Sequence, residues 1–310
     1  MAAPDFLPPV LAPRPPAPEP FWSDAEVVLE PEDPRPGAWV GGPSALLVDG
    51  IWWLAYRLRE PLGEGRGIGN VVARSDDGVA FTPVVGLGKD RFGAESLERP
   101  ALVRTPEGRW RLYVSCATPG TKHWRVDLLE ADTVEGLAIA EIRTVLPGSD
   151  ACAVKDPVIR YDSRQWHLWA SVHPLDDADA TDRMTTEHAT SSDGVHWTWQ
   201  GTALAGTPGT WDARGVRFAT VVLDGADTWA LYDGRASAEE NWEERMGLAT
   251  QQPDGRFAAA PDGPLLQSPH APHGLRYADV VAVPGGGARW FYEATRADGA
   301  HDLRTVLLPE

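Results

Sequence analysis

The feature that most constrains the fold of this chain is a pattern that occurs five times. Each copy starts with a turn and a small polar cluster, continues with a short apolar run, and ends in Trp-x-Leu-x-aromatic or a close relative. The tryptophans of the five copies are Trp53, Trp110, Trp166, Trp229 and Trp290. The polar clusters that precede them are Gly42-Pro43-Ser44, Glu98-Arg99-Pro100, Lys155-Asp156-Pro157, Arg214-Gly215-Val216 and Tyr277-Ala278-Asp279.

The spacing of the copies is nearly constant. Pro43 and Pro100 are 57 residues apart, Pro100 and Pro157 are also 57 apart, and Pro157 and Gly215 are 58 apart. Repeats of about 40–50 residues with several strands each are typical of propeller blades, and insertions lengthen them. We therefore predict an all-β fold, a five-bladed β-propeller whose four-stranded antiparallel blades surround a central pit.

Turn signals and side-chain alternation support this prediction within single repeats. Ser75-Asp76-Asp77-Gly78 and Ser192-Asp193-Gly194 each separate two apolar segments, where Asp-Gly is a strong hairpin signal. Apolar and polar residues alternate over residues 110–114 and 166–170, as half-buried strands require. We predict that residues 25–29 pair with residues 304–308 to close the ring, and that residues 236–244 form one helical turn.

Length, charge and cysteine content limit the class of protein. A chain of 310 residues is long enough for one large β domain, which we place at residues 21–310. Residues 1–20 contain eight prolines and predict a flexible tail, without the pattern of a secretory signal. The formal net charge of −17 would repel a phosphate backbone and argues against a nucleic-acid partner. No segment predicts a membrane span, so we predict a cytoplasmic protein with two free thiols, Cys116 and Cys152.

The polar clusters are the first place to look for chemistry. In a propeller the first strands of the blades converge on the axis, so residues at their starts line the central pit. These regions supply four carboxylates and three cations: Glu98, Asp156, Asp212, Asp279, Arg99, Lys155 and Arg214. When carboxyl groups act on a glycosidic bond, one protonates the leaving oxygen and a second activates water or attacks the sugar.

Two of the motifs resemble those of a known group. Lys155-Asp156-Pro157-Val158-Ile159 is similar to the Arg/Lys-Asp-Pro blade motif of the five-bladed propeller glycoside hydrolases. Ala189-Thr190-Ser191-Ser192-Asp193-Gly194-Val195-His196-Trp197 resembles the strand ending of the same group, Ala-x-Ser-x-Asp-Gly-x-x-Trp. That group contains the arabinanases and β-xylosidases of family 43, with relatives among invertases, arabinofuranosidases and mannoside phosphorylases. The likeness spans all five repeats and implies the propeller fold and a carbohydrate substrate.

The resemblance also implies three catalytic acids, which this chain matches unevenly. The group has an Asp on its first inner strand, where this chain has Gly42. Its second Asp, which orients the substrate and tunes the acid, matches Asp156. Its fourth-blade Glu has no match, and Asp212 is the nearest carboxylate. We predict that Asp156 has the tuning role and that Glu98 and Asp212 share the acid and base roles.

Many cations lie near the predicted pit. They are Arg57, Arg59, Arg66, Arg99, Lys155, Arg214, Arg217 and Arg276. They would either bind a phosphate or carboxylate of the substrate, as in the phosphorylases of this clan, or pair with the carboxylates of the pit itself. Both interpretations stay open. The predicted substrate-binding residues include Arg57, Arg99, Lys155, Arg214, Tyr277 and Asp279.

Three further observations concern the same pit. Glu187 and His188 lie on the third strand of the third repeat, and we predict that they face the pit and bind substrate. Trp124 and Trp242 lie outside the repeat positions and are candidates for stacking on a sugar ring. The histidines lack the spacing of zinc ligands, so we predict no metal and no cofactor.

Together these features predict a glycoside hydrolase-like enzyme that acts on a glycosidic bond of a small intracellular carbohydrate, neutral or anionic. The incomplete set of acids leaves two alternatives open. One is a non-hydrolytic enzyme, such as a phosphorylase, lyase or isomerase, and the other is an inactive propeller that binds a glycan or a protein. The clustered carboxylates and cations favour an enzyme, because simple binding does not need so many buried charges.

Overall fold

The chain folds into antiparallel β-sheets with only short helical segments. The structure, a computed structural model, describes residues 18–223 and 227–309. Its helical segments are α1 at Pro18–Ser23 and three 3-10 turns at Lys89–Phe92, Glu135–Ala138 and Ala178–Ala180. The prediction of an all-β fold is confirmed. Most of the predicted tail lies outside the described residues, and α1 begins within its last part.

Three sheets have four strands each, and in each sheet consecutive strands are neighbours. The first contains β6 (Leu97–Arg104), β7 (Trp110–Ala117), β8 (Trp124–Ala131) and β9 (Arg143–Leu146). The second contains β10 (Cys152–Tyr161), β11 (Trp166–Pro174), β12 (Thr185–Ser191) and β13 (Thr198–Leu204). The third contains β14 (Gly215–Val222), β15 (Trp229–Arg235), β16 (Arg245–Gln251) and β17 (Phe257–Ala259). The prediction of four-stranded antiparallel sheets is thereby confirmed.

The remaining strands form one eight-stranded sheet from the two ends of the chain. From the N-terminal part come β1 (Glu26–Leu29), β2 (Trp39–Val48), β3 (Ile51–Arg59), β4 (Gly67–Ser75) and β5 (Thr82–Gly88). From the C-terminal part come β18 (Leu275–Ala282), β19 (Ala288–Thr295) and β20 (His301–Leu308). Strands β2 and β20 meet in a single parallel bridge between Trp39 and His301, and the other pairings are antiparallel. The sheet therefore consists of two four-stranded groups, β2–β5 and β18–β20 with β1.

The N-terminal strand pairs with the last strand, as predicted. Glu26 lies opposite Thr305 and Val27 opposite Arg304. The preceding helix adds an apolar anchor, because the ring of Phe21 is fully buried with its centroid 4.7 Å from that of Tyr292. The two ends of the chain are thus held together by backbone hydrogen bonds and by packing.

The first strands of the five four-stranded groups contact one another in a closed cycle. Strand β2 packs on β6, β6 on β10, β10 on β14, β14 on β18, and β18 again on β2. The five repeat tryptophans lie in the adjacent second strands, and all but the half-buried Trp53 are buried. Residues 236–244, where we predicted a helical turn, form a chain of turns between β15 and β16.

The Ser-Asp-Gly turns join neighbouring sheets. Between β12 and β13, Ser191 Oγ accepts hydrogen bonds from the backbone N–H groups of Asp193 and Gly194. On the outside of this turn, Tyr113 of β7 donates its hydroxyl hydrogen to the carbonyl of Gly194 over 2.7 Å. A turn that the sequence marks as a local hairpin therefore also docks one sheet onto the next.

Candidate functional site

A β-bulge interrupts the first strand of every four-stranded group at the same place in the repeat. The strand register shifts at Gly41/Ser44, Leu97/Pro100, Lys155/Val158, Phe218/Thr220 and Arg276/Asp279. A bulge adds one residue to one strand and re-aims the side chains beside it, and bulges are common next to active sites. Four of the five polar clusters lie inside these strands at the bulges, rather than before them. The fourth, Arg214-Gly215-Val216, lies at the start of β14, ahead of its bulge.

Three of the bulges contain a residue with positive φ: Gly42 at 61°, Asp156 at 54° and Tyr277 at 57°. This conformation is ordinary for glycine, uncommon for aspartate and an outlier for a bulky residue such as tyrosine. Both non-glycine residues are held by their backbone N–H groups. That of Asp156 donates to Ser115 Oγ over 2.8 Å, and that of Tyr277 donates to both carboxylate oxygens of Asp233 at 3.0 and 3.1 Å.

A cavity of about 600 Å³ opens where the first strands begin and the second strands end. Its walls carry eight basic side chains, which are Arg57, Arg59, Arg66, Lys122, Lys155, Arg217, Arg235 and Arg276. They carry only four carboxylates, which are Glu95, Glu98, Asp182 and Glu244. The cavity is therefore lined by an excess of positive charge, although the whole chain has a formal net charge of −17.

Glu98, a predicted catalytic residue, lines this cavity from the bulge of β6. It pairs with Arg57, and its Oε1 lies 3.5 Å from Nη1 of Arg59. Burial alone would raise the pKa of Glu98, but the charges of Arg57, Lys155 and Arg59 outweigh burial and lower it to about 2. Glu98 is therefore a carboxylate at neutral pH. It can act as a base or stabilise positive charge, but it cannot donate a proton.

Glu244 is a second buried carboxylate of the cavity, and no motif of the sequence predicts it. It lies at the end of the turn segment before β16. It pairs with Arg235, and its Oε2 lies 3.1 Å from Nη1 of Arg276 and 3.8 Å from Nη2 of Arg217. Burial opposes its ionisation, yet these three guanidinium groups lower its pKa. The only signal in the sequence is an acidic residue next to Arg245 in a segment rich in acidic residues.

Asp156 lies in the wall behind the cavity surface and connects three cavity residues. Its Oδ2 accepts a hydrogen bond from Arg217 over 3.2 Å and lies 3.6 Å from Nζ of Lys155. The hydroxyl of Tyr277 donates to the same oxygen over 3.4 Å. The buried Oδ1 of Asp156 receives no hydrogen bond from any described residue. Asp156 thus holds side chains of the cavity, with its own carboxylate almost fully buried.

Arginine side chains surround the ring of Tyr277. The guanidinium carbon of Arg217 lies 3.9 Å from the ring centroid, and those of Arg57 and Arg276 lie 5.3 Å away. Tyr277 is only 1% exposed and faces the cavity floor. Burial raises the pKa of its hydroxyl, although the arginine charges oppose this shift. The tyrosine is therefore protonated at neutral pH.

Aromatic side chains flank the cationic groups. Nζ of Lys155 lies 4.9 Å from the ring of Trp124, and the guanidinium of Arg59 lies 4.4 Å from the ring of Trp39. Trp242 lines the cavity with 39% of its surface exposed. Trp124 and Trp242, both proposed from sequence as stacking residues, are thus brought to the cavity. Such side chains can pack on the apolar faces of a sugar ring.

The structure places six other sequence-predicted residues outside the cavity lining. Two of them, Arg99 and Asp279, lie near the bulges, and both are hydrogen-bonded to other residues of the first strands. Arg99 donates to the carbonyl of Pro43 over 3.0 Å, and Asp279 accepts hydrogen bonds from the backbone N–H of Ala45 and the hydroxyl of Thr220. Asp279 also pairs with Arg160 of β10 at 2.9 Å, so both side chains are engaged in contacts between first strands.

Asp212 and Arg214 are also engaged elsewhere. Asp212 accepts hydrogen bonds from the hydroxyls of Thr210 and Tyr232, the latter over 2.9 Å. Arg214 forms a two-bond pair with Asp182 at 2.6 and 2.8 Å, so it contacts the cavity through a lining residue. Neither lies among the residues that surround Asp156.

Glu187 and His188 face away from the cavity as well. Glu187 lines a different cavity of about 360 Å³ beside Trp199 and accepts a hydrogen bond from Thr202 over 2.8 Å. The ring of His188 stacks on that of Trp169, with centroids 5.0 Å apart. Burial lowers the pKa of His188 to about 4, so its ring is neutral. Alternation along β12 puts these side chains on its two faces, and neither face meets the cavity.

No group of three or more His, Cys, Asp or Glu side chains among the described residues could hold a metal ion. Nor does this part of the chain contain a helix with the length and apolar character to cross a membrane.

Comparison with known proteins gives structural matches only. No protein-family model matches the chain, and no curated protein matches it. A glycosyl hydrolase from Bacteroides ovatus is similar in structure, with a TM-score of 0.63, 14% identity, and coverage of 95% of this chain and 94% of that one. A thermostable family-43 glycoside hydrolase gives a TM-score of 0.64 at 13% identity, covering 90% of this chain and 92% of that one.

A further match concerns the GH130 family of mannoside phosphorylases, which contains glycoside hydrolases that target β-1,2 mannosidic linkages in Candida mannan. It has a TM-score of 0.62 at 16% identity and covers 94% of this chain and 92% of that one. The chain thus shares its fold with the propeller glycoside hydrolases and phosphorylases that its sequence motifs resemble. At such low identity the likeness establishes the fold alone.

Proposed function

We propose that residues 21–310 form one five-bladed β-propeller and that the protein cleaves a glycosidic bond in a small anionic carbohydrate. Two observations support five blades. The first strands of five four-stranded groups contact one another in a closed cycle. The eight-stranded sheet is joined across its two halves by one parallel bridge only, as expected where two neighbouring blades touch.

The single observation that carries the choice of substrate is the charge of the cavity. Eight basic side chains line it against four carboxylates, in a chain whose formal net charge is −17. Guanidinium groups bind carboxylate and phosphate through paired hydrogen bonds, and a lysine adds a point charge. Three buried carboxylates behind the lining, Asp156, Asp233 and Glu293, also pair with lining arginines. With them the eight cations face seven carboxylates, so a neutral sugar would leave a surplus of one positive charge at the cavity. A uronic acid, another sugar acid or a sugar phosphate would supply a partner for it.

The cavity residues divide into three roles in this proposal. Arg276, Lys155 and their basic neighbours bind the anionic group. The carboxylates of Glu98 and Glu244 stabilise the positive charge that develops on the sugar ring in the transition state. Asp156 positions Tyr277 and Lys155. Asp212 receives no catalytic role, because it is bound to Thr210 and Tyr232 outside the cavity.

Phosphorolysis is the second candidate, and the same surplus of cations favours it. Inorganic phosphate could occupy part of the basic lining and attack the sugar in place of water. This candidate needs no carboxylate to activate water, which fits a chain with Gly42 at the first bulge and with ionised, arginine-bound carboxylates. Both candidates share the anion site and differ in the acceptor of the glycosyl group.

A binding experiment on the full chain tests the anion site. We expect isothermal titration calorimetry to detect methyl glucuronide or glucose 1-phosphate, while the uncharged methyl glucoside binds at least about 10-fold more weakly, since one charged contact is worth about 1.5–3 kcal/mol. Lys155→Met should weaken the binding of the anions. Arg35→Met is the control, because Arg35 is exposed and pairs with Asp33 and Glu64. Equal affinity for charged and neutral ligands would contradict the proposal.

Turnover on aryl glycuronides and aryl glycosides then separates the two candidates. Hydrolysis proceeds without phosphate, whereas phosphorolysis requires phosphate and yields a sugar phosphate that mass spectrometry detects. A protein that binds the anions but turns over no substrate under either condition would be a binding propeller.

For the location of the protein we propose the cytoplasm, because both cysteines of the chain are free thiols and reducing compartments maintain this state.

A further inference from the structure

Cleavage of a glycosidic bond needs a proton donor for the leaving oxygen, and the four carboxylates of the cavity are poorly suited to this role. Glu98 and Glu244 are buried against two and three guanidinium groups, respectively. Asp182 is bound to Arg214 through two hydrogen bonds, and Glu95 lies 3.6 Å from Arg66. The neighbouring guanidinium groups lower the pKa of Glu98, Glu244 and Asp182 and keep them ionised, while Glu95 lies at a 43% exposed position. The proton must come from another group.

Tyr277 has the chemistry and the position for this step. Its side chain lies on the cavity floor at the bulge of β18, and its hydroxyl already donates a hydrogen bond to Asp156. The O···O distance of 3.4 Å is longer than the usual 2.5–3.0 Å of such a bond, so the hydroxyl can turn to a substrate oxygen at little cost. The guanidinium groups of Arg217 and Arg57, close to its ring, favour the phenolate left after proton transfer and partly offset the effect of burial, which raises the pKa of the hydroxyl.

The backbone of Tyr277 supports this assignment. A φ of 57° is strained for a tyrosine, and residues in such conformations persist where the surroundings hold them, often at functional sites. The carboxylate of Asp233 holds the strained N–H group with both oxygens and is itself bound to Arg217. The fold therefore fixes the Tyr277 ring under the guanidinium of Arg217, even though this requires an unfavourable backbone conformation.

We propose that Tyr277 is the catalytic acid that protonates the glycosidic oxygen, with Asp156 as its positioning residue. This inference rests on the proposed function and adds to it the identity of the proton donor. As the bond from the anomeric carbon to the leaving oxygen breaks, that oxygen takes the hydroxyl proton of Tyr277 and departs as an alcohol. Water adds to the anomeric carbon, and the proton it loses returns to the phenolate through solvent. In phosphorolysis, hydrogen phosphate adds instead to give a sugar phosphate, and the proton that it loses returns to the phenolate through solvent.

The other donors in the cavity wall fit less well. His173 is buried, with its two ring nitrogens bound to Ser171 Oγ and the carbonyl of Thr181. The hydroxyls of Thr121 and Thr181 are much weaker acids than a phenol. Lys155 is the main rival, because its ammonium group lines the cavity and burial lowers its pKa. The test must therefore separate Tyr277 from Lys155.

Tyr277→Phe keeps the ring and removes only the hydroxyl. A catalytic acid matters most when the leaving group is a poor one, so the test compares dinitrophenyl, nitrophenyl, phenyl and benzyl glycosides of one sugar acid. We expect the variant to lose about 10²–10⁴-fold in kcat/KM on the benzyl glycoside, the usual range for general acid catalysis, but less than about 10-fold on the dinitrophenyl one. Binding of the free sugar acid, measured by calorimetry, should stay within about threefold, because the hydroxyl is not part of the anion site.

Tyr292→Phe is the matched control. It removes another buried tyrosine hydroxyl, one for which no described residue is a hydrogen-bond partner, outside the cavity lining. We expect wild-type turnover across the series. An equal loss on all leaving groups in Tyr277→Phe, or the predicted selective loss in Lys155→Met instead, would overturn the assignment while leaving the proposed function intact. No turnover by the wild-type protein on any glycoside, with or without phosphate, would overturn the proposed function and the assignment with it.

Discussion

Glu244 connects three parts of the cavity wall through its carboxylate. It contacts Arg217 from β14, Arg235 from β15 and Arg276 from β18. All four side chains are almost fully buried, so the charges have little water to screen them. A buried pair of this kind adds little net stability, but removal of one partner leaves the others buried without compensation. Glu244 therefore keeps three cations close together at the cavity.

Glu244→Gln tests this role at the residue scale. The substitution preserves size but removes the charge that offsets three guanidinium groups. We expect the free energy of unfolding to fall by about 3–5 kcal/mol at neutral pH, measured by denaturant titration. Glu95→Gln is the control, because Glu95 and Arg66 are each about 40% exposed at a distance of 3.6 Å. Its effect should be about 0–1 kcal/mol.

The pH dependence of the stability difference between the wild type and Glu244→Gln checks whether that difference is electrostatic. The pKa of Glu244 is lowered in the folded protein from its ordinary value of 4.5. A lowered pKa contributes stability that is complete above the unfolded value and is lost as the pH falls toward the folded one. The gap between wild type and Glu244→Gln should therefore be full above about pH 4.5 and shrink below it. A gap that does not change down to pH 3 would point to packing as its cause.

At the scale of the elements, the hairpin turns carry part of the contact between sheets. The turn at Asp193-Gly194 accepts hydrogen bonds from Arg111 and Tyr113 of β7, which belongs to the neighbouring sheet. In the β4–β5 hairpin, a Cβ on Gly78 would lie 2.8 Å from Nε of Arg289 on β19. In both repeats the glycine serves two purposes. It adopts positive φ, and it lets the neighbouring four-stranded group approach closely.

Gly194→Ala should separate these purposes from one another. Its φ is 72°, and a Cβ would lie 2.5 Å from Nη1 of Arg111 and 3.1 Å from Oη of Tyr113. Gly255→Ala is the matched variant in the β16–β17 turn, with a φ of 85° and no atom within 4 Å of the added Cβ. The backbone conformation should cost both about 1–2 kcal/mol. We expect the overpacking at Gly194 to add about 1–3 kcal/mol in denaturant titrations. Equal losses would show that the turn does not hold the sheets together.

At the scale of the whole molecule, charge is unevenly distributed. Eight of the 28 lysine and arginine side chains line one cavity of a strongly acidic chain. Their placement depends on the contacts between the first strands, which bring distant parts of the sequence to one place. The pairing of β1 with β20 joins the two ends of the chain across this arrangement. The cavity therefore depends on how the ends of the chain are held.

Removal of residues 1–30 tests the contribution of the chain ends. This truncation deletes β1 and the buried ring of Phe21, and it leaves the backbone of β20 exposed along one edge. Loss of the Phe21 side chain alone should cost about 3–5 kcal/mol, and exposed strand edges promote association. We expect a lower melting temperature and larger particles by light scattering. A chain that begins at Pro18 keeps both elements and serves as the control. Identical melting and size for the two truncations would contradict a role of β1 in the fold.

The sequence by itself determined the local structure and its repetition. The spacing of the repeats, the Asp-Gly turns and the alternation of residues around Trp110 and Trp166 predicted the sheets and hairpins. It also pointed to the pairing of residues 25–29 with the last strand. These features depend on neighbours within a few residues, or on a pattern repeated five times, so they are readable without the fold. Glu98, Lys155, Tyr277 and Arg57 were identified in the same way, from their places in the repeats.

Only the tertiary structure decided which polar side chains share the cavity. Side chains alternate between the two faces of a strand, and the bulge in each first strand shifts this alternation by one residue, so the face of a given side chain cannot be found by counting along the sequence. Glu98 thus lines the cavity while Arg99 is bound to Pro43. Glu244 and Arg235 reach the cavity from the ends of other elements, and no local pattern marks that approach. Their positions follow from long-range packing, which a single chain's sequence pattern does not display.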